Sequence, residues 1–208
     1  MQMEYVNQLP GEISEYIINN YEEKIIRKLI VSNYGHFLPY EQEEIVKLTK
    51  ENRPECRDMI EEKIKAYLHE NDTVILDGFV NFRLKDYKNI LLESINTSVE
   101  QFNIKREYET FISLLKHFIE TQIPLYNTVN LVGHEDGGVS VMTETGEYIT
   151  EDCMGDNILD ALLTIAPRQV KLHNIHYMKN EELLITIKSV FEGKFIICKG
   201  CLICGRIQ

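Results

Sequence analysis

Apolar residues recur every three or four positions as far as Ile123 and then begin to alternate, so the 208-residue chain reads as helices first and strands later. Ile13, Ile17, Tyr21, Ile25 and Leu29 form one stripe, widened by Tyr16, Ile26 and Ile30, as an amphipathic helix facing a core requires. "NYGHFLPYEQEE" interrupts it, and a short helix is predicted from about Tyr40 to Thr49. Asn52 is the expected N-cap of the next helix, with Pro54 in its first turn, where a missing N–H costs little. Cys56, Ile60, Ile64 and Leu68 share one face there, which makes Cys56 a small buried hydrophobe and not a ligand. Leu84, Tyr87, Leu91, Ile95, Val99 and Phe102 form the next stripe, and Tyr108, Phe111, Ile112, Leu115, Phe118 and Ile119 a further one. "FNIK" between these two predicts a bend or tight turn, and Pro124 ends the run. His117 falls among polar helical positions and receives no role.

From Tyr126 the period changes. Val129 and Leu131, Val139 and Val141, and then Tyr148 predict short strands separated by "HEDGG" and "ETGE", turns that suit an antiparallel meander. Asp156 is the expected N-cap of a helix "NILDALLTIA" closed by Pro167. "QVKLHNI" reads as a strand, "NEELLITIKSVF" as a helix and "KFIIC" as a last strand, an alternation that implies parallel neighbours joined by crossovers. The predicted fold is α+β: a helical region over 1–124, then a smaller mixed α/β region over 125–208 built from an antiparallel meander plus βαβαβ.

Charge changes the picture in this second region. The net charge is −11, yet Tyr126–Ile165 holds eight acids and no Lys or Arg, whereas from Ala166 onward seven basic residues face three acids. An acidic chain is a poor match for a phosphate backbone, so nucleic acid is not the expected partner. No apolar stretch approaches a membrane span, and the start of the sequence lacks the apolar core of an export signal. Five cysteines without such a signal imply a reducing compartment, and the expected location is the cytoplasm.

Neither of the common glycine-rich phosphate loops is present, no serine stands in a nucleophile elbow, and "HEDGG" lacks the oxygen-ligand spacing of a calcium loop. The acids of 144–160 lie in loops beside a helix start, where solvated carboxylates are common. Chemistry concentrates in "CKGCLICG", which sets Cys198, Cys201 and Cys204 three residues apart. Two intervening residues let neighbouring sulfurs reach one metal while loop N–H groups point at them, and Gly200 and Gly205 supply the backbone freedom and argue against a continued helix. Lys199 and Arg206 favour thiolates. Three thiolates do not close a tetrahedral zinc site. The fourth ligand is expected from Cys153 first, then His176, then His173, since all lie in the α/β region. His173 and His176 stand three apart and would face opposite sides of a regular strand, so they converge only if the strand ends between them. An iron–sulfur cluster is the alternative cofactor, although the proline that follows many ferredoxin-type runs is missing. A thiol oxidoreductase is disfavoured, because only Gly205–Gln208 follow Cys204, too little for the helix that lowers a redox thiol's pKa.

Four stretches together, "DGFVNFRLKDY" at 77–87, "EYETFISLLKHFIETQ" at 107–122, "DALLTIAPRQVKLHN" at 160–174 and "FEGKFIICKGCLIC" at 191–204, resemble the YtxC-like family of sporulation proteins from endospore-forming bacteria. The likeness runs from about Asp77 onward. In its most specific string, Phe79 and Phe82 read as anchors and Arg83 and Lys85 as charges where a long helix begins. The resemblance implies a cytoplasmic, sporulation-associated protein and carries no catalytic residues. The leading functional expectation is a non-enzymatic accessory factor that binds a protein partner, and the alternative is a zinc or iron–sulfur protein acting through Cys198, Cys201 and Cys204.

Overall fold

The structure, a computed structural model, describes residues 2–153 and 156–206, with only the backbone described for residues 2–8, 151–153, 156 and 206. Met1–Arg106 and Glu107–Gln208 form two compact units. The helical start and the later strands agree with the apolar periods: every strand lies between Thr128 and Ile197. Among the described residues, no helix is long and apolar enough to cross a membrane.

The first unit contains α1 (Gln2–Tyr34), α2 (Pro39–Asn52), α3 (Arg57–Glu70), α4 (Leu76–Phe82) and the first part of α5 (Lys85–Thr121). Its core joins Ile17, Ile26 and Ile30 of α1 to Ile45 and Val46 of α2, Ile60 and Ile64 of α3, and Tyr87, Leu91 and Ile95 of α5. Cys56 is buried in that core, and burial pushes its thiol pKa up. Asn52 ends α2 and does not cap α3; the chain passes through Pro54 in extended connection, and Cys56 precedes the first turn of α3. Phe79 is buried and meets the Tyr67 ring edge-on at 5.3 Å, but Phe82 is 73% exposed and anchors nothing in this unit.

The expected bend at "FNIK" is absent, and α5 is continuous through it. No Gly or Pro interrupts the backbone there. Two cores account for the two stripes: Leu84 to Phe102 serve the first unit, Ile112 and Ile119 the second. The interval from Phe102 to Ile112 does not return to the same face of a 3.6-residue helix, so a change of stripe looks like a break when only the pattern is read.

The buried line of α1 carries a carboxylate that periodicity alone could not place. Glu22 is 3% exposed. Its Oε2 accepts from the Tyr87 hydroxyl at 2.5 Å, and Arg53 Nε lies 2.6 Å from Oε1 but out of line for a hydrogen bond, so that contact is an ion pair. Burial and the adjacent Glu22 carboxylate push the Tyr87 phenol pKa up.

The second unit is a five-stranded sheet with order β3-β2-β1-β4-β5. β1 (Thr128–Gly133), β2 (Val139–Met142) and β3 (Tyr148–Cys153) form the antiparallel meander, and β4 (Gln169–His173) and β5 (Phe195–Ile197) add in parallel beside β1. The helix after the meander, α6 (Asp156–Ile165), therefore leads from β3 to a strand that pairs with β1 and not with β3 itself. Asp156 opens α6, but its side chain lies outside the described residues. "HEDGG" is a turn as expected: Asp136 Oδ1 accepts from Gly138 N at 2.8 Å and Gly137 takes φ +93°. Side-chain alternation gives the sheet two faces. Val129, Leu131, Val139, Val141, Val170 and Leu172 join Ile158 and Leu162 of α6 and Ile187 of α7 (Glu181–Val190) in the core. Asn130, Ser140 and His173 lie on the opposite face and are buried as well.

Removing one partner of a buried polar group costs more than the contact itself contributes. Tyr87→Phe is expected to lower stability by about 1–3 kcal/mol. Arg53→Met, which strips the charge partner from Glu22, should cost more, about 3 kcal/mol or above. Urea unfolding followed by helical circular dichroism checks both, and equal midpoints for the two variants would remove Glu22 from the account of the core.

Candidate metal centre

His173 is the last residue of β4, and its register partner on β1 is Val132, two positions beyond Asn130. Residues paired across a parallel ladder point to one side, so His173 and Asn130 share the second face as diagonal neighbours. The strand stops because Asn174 takes a left-handed φ of +52° and turns the chain into a 3-10 helix (Ile175–Tyr177). That turn separates the two histidines. His176 goes with the 3-10 helix, where its ring lies 4.0 Å from the Tyr177 ring by centroids, while His173 stays fully buried under the sheet.

β5 runs beside β4 and ends at Ile197, and Cys198 N donates to Leu172 O at 2.8 Å. The chain then turns at Gly200, whose φ of +126° is open only to glycine without strain. Gly200 N points at Cys198 Sγ, 3.4 Å away, the backbone-to-sulfur contact the knuckle spacing predicts. A short helix, α8 (Leu202–Arg206), follows. This departs from the expectation of no helix: it begins directly after Cys201 and carries Cys204 inside it, so the glycines do not prevent it.

Three of the five cysteines come together here with one histidine. Cys204 Sγ lies 3.8 Å from Cys198 Sγ and 3.9 Å from Cys201 Sγ. His173 Nδ1 lies 3.3 Å from Cys204 Sγ and 3.4 Å from Cys201 Sγ. The four ligand atoms all fall within 4.8 Å of one another. His173 Nε2 lies 2.9 Å from Asn130 Oδ1, and Asn130 Nδ2 donates to Thr143 O at 2.7 Å. Cys153 ends β3 at the other edge of the sheet from β5, with its side chain outside the described residues, as is that of Arg206. His173 is the last of the three candidates expected for the fourth position, and among the described side chains it is the one beside the sulfurs.

Electrostatics suit a cation. Burial pushes the His173 pKa down and Lys171 adds to the effect, favouring the neutral imidazole that ligates metals. At Cys201 burial opposes ionisation, but the backbone N–H groups of Cys204 and Ile203 and the Cys198 thiol outweigh it, and the pKa is lowered. Burial and the neighbouring sulfurs of Cys198 and Cys201 push the Cys204 thiol up. One cation among the three sulfurs relieves that mutual repulsion.

The chain matches the YtxC-like family over residues 7–196. It belongs to the YtxC-like family. No curated relative and no solved structure matches it. The YtxC-like match starts well before Asp77, where the resemblance was expected to begin, and includes the helices of the first unit. It stops at Ile196, so it takes in His173 and Asn130 but ends before Cys198.

An alanine at Gly200 meets no atom within 4 Å, so Gly200→Ala tests the backbone alone. Strain of about 1–3 kcal/mol is expected to loosen the knuckle. In metal-free protein Cys204 should then be alkylated faster than in the parent chain; an unchanged rate would mean that the turn at Gly200 does not hold the cysteines together.

Proposed function

We propose that this YtxC-like protein binds one zinc ion through His173 Nδ1 and the thiolates of Cys198, Cys201 and Cys204, and that the metal fixes the C-terminal segment against the sheet. One observation carries the reading, the shape of the ligand set. With metal–sulfur bonds of ~2.3 Å and metal–nitrogen bonds of ~2.0 Å, a tetrahedral site has sulfur–sulfur edges of ~3.8 Å and sulfur–nitrogen edges of ~3.5 Å. Four of the six edges, the sulfur–sulfur distances of 3.8 and 3.9 Å and the nitrogen–sulfur distances of 3.3 and 3.4 Å, are close to those values, and all four ligand atoms lie within 4.8 Å of one another. In an iron–sulfur cluster the irons are bridged by sulfide and the cysteine thiolates end on different irons, which sets most of their sulfurs farther apart than this compact set. Soft sulfur ligands with one imidazole also favour zinc over magnesium or calcium.

Four protein ligands leave no open position for water or substrate, the arrangement of structural zinc and not of catalytic zinc. This supports a non-enzymatic role. Membership in the YtxC-like family supports association with sporulation, and the polarity of charge supports a basic protein partner. Glu144 and Glu147, both exposed at the β2–β3 turn, are the acids with which this reading is tested.

Protein purified without oxygen, and without a tag that carries metal, should contain one equivalent of zinc. Cobalt should replace it with the absorption of a tetrahedral thiolate complex, and Cys201→Ser should weaken retention of either metal. Structural zinc in small sites contributes on the order of 10 kcal/mol, so a strong chelator should lower the melting temperature of the second unit. Zinc below roughly a tenth of an equivalent, background for such a site, or iron with cluster absorption, would overturn the reading. For the partner, Glu144→Gln with Glu147→Gln should weaken binding of the basic protein recovered from sporulating cells and flatten its salt dependence. Unchanged binding would leave these acids as solvated surface.

A further inference from the structure

We propose that Asn130 is a positioning residue for the metal: anchored by the Thr143 carbonyl, it holds His173 in the tautomer protonated at Nε2 and so commits Nδ1 to zinc. The proposal rests on the zinc reading above and adds to it a residue, a tautomer and a ligating atom.

The logic proceeds atom by atom. A backbone carbonyl only accepts, so the Asn130 atom 2.7 Å from Thr143 O is its amide nitrogen. That fixes the amide, and the atom it turns toward His173 is Oδ1, 2.9 Å from Nε2. An amide oxygen has no hydrogen to give, so Nε2 must carry the proton and donate. The neutral ring holds one proton, which leaves the Nδ1 lone pair free on the side where Cys201 Sγ and Cys204 Sγ lie at 3.4 and 3.3 Å. Orientation is thus settled by a peptide group of the main chain, which does not change its role with conditions.

Burial makes the choice firm. Asn130 is 4% exposed and His173 fully buried, so water cannot substitute for either partner at little cost. A strand packed only for its apolar content would carry a Val or Ile at this place, as positions 129, 131 and 132 of the same strand carry Val, Leu and Val. A polar amide on a buried strand costs stability unless both its ends are paired, and here both are. A partner that accepts from the far nitrogen of a ligating imidazole also makes the near nitrogen more basic, and losing such a partner typically lowers metal affinity ~10- to 100-fold.

The experiment compares the parent protein, Asn130→Leu, Asn130→Asp and Val129→Ala. Zinc affinity is measured by competition with a chromogenic chelator, and the His173 ring nitrogens are read by long-range nitrogen–proton correlation spectra with and without zinc. The parent should show Nε2–H in both states, with the zinc-dependent shift on Nδ1. Asn130→Leu should lose the fixed tautomer and bind zinc ~10- to 100-fold more weakly. Asn130→Asp loses the donor to the Thr143 carbonyl and should lower the melting temperature, but either carboxylate oxygen accepts from Nε2–H, so it should keep the tautomer. Val129→Ala, a core truncation on the other face, should lower the melting temperature without moving tautomer or affinity. Zinc seated on Nε2 in the parent, or Asn130→Leu with parental tautomer and affinity, overturns the proposal while the zinc site stands. A parent protein that binds no zinc overturns both.

Discussion

The parallel ladder between β1 and β4 is the constraint on which the second unit depends. Thr128 to Val132 pair in order with Gln169 to His173, and this register alone sets Asn130 diagonal to His173. It also makes β1 the centre of the sheet, with the meander on one side and β4 and β5 on the other. Shifting the ladder by one residue would send His173 to the apolar face and bury Leu172 against the cysteines. The meeting of cysteines and histidine is therefore a by-product of pairing: β5 follows β4 in parallel, and the hydrogen bond from Cys198 N to Leu172 O delivers the first cysteine one residue from the histidine's own strand position.

Two further choices of backbone complete the centre. Gly200 turns the chain back so that Cys201 and Cys204 face Nδ1, and left-handed Asn174 carries His176 away. The result sets one nitrogen from the buried sheet beside three sulfurs from the segment that follows β5.

The elements were largely legible because burial imposes period: the stripe from Leu84 to Phe102 and the alternations at 129–131 and 139–141 all face cores. Where a side chain is buried for a reason other than apolarity, pattern fails. Glu22 takes its place in the α1 line because Arg53 and Tyr87 meet it from other elements, and those meetings are tertiary. The three cysteines were visible because thiols at that spacing have few other uses. The histidine was not, since 173 and 176 differ only in which side of a left-handed residue they fall. Asn130 gave no sign at all: an Asn between Val and Leu looks like a flaw in a strand until its carbonyl and imidazole partners are seen. "FNIK" misled for the opposite reason, as one uninterrupted helix serves two cores with different faces.

β5 is the edge of the sheet, only three residues long, with Ile196 and Ile197 partly open to solvent. An exposed apolar edge is a template on which other chains can add strands and aggregate. Here the template is cut short, because the residue after Ile197 is Cys198 and the chain leaves the strand direction at Gly200. The turn that aims the cysteines therefore also sets how much strand edge is left open for another chain to pair with.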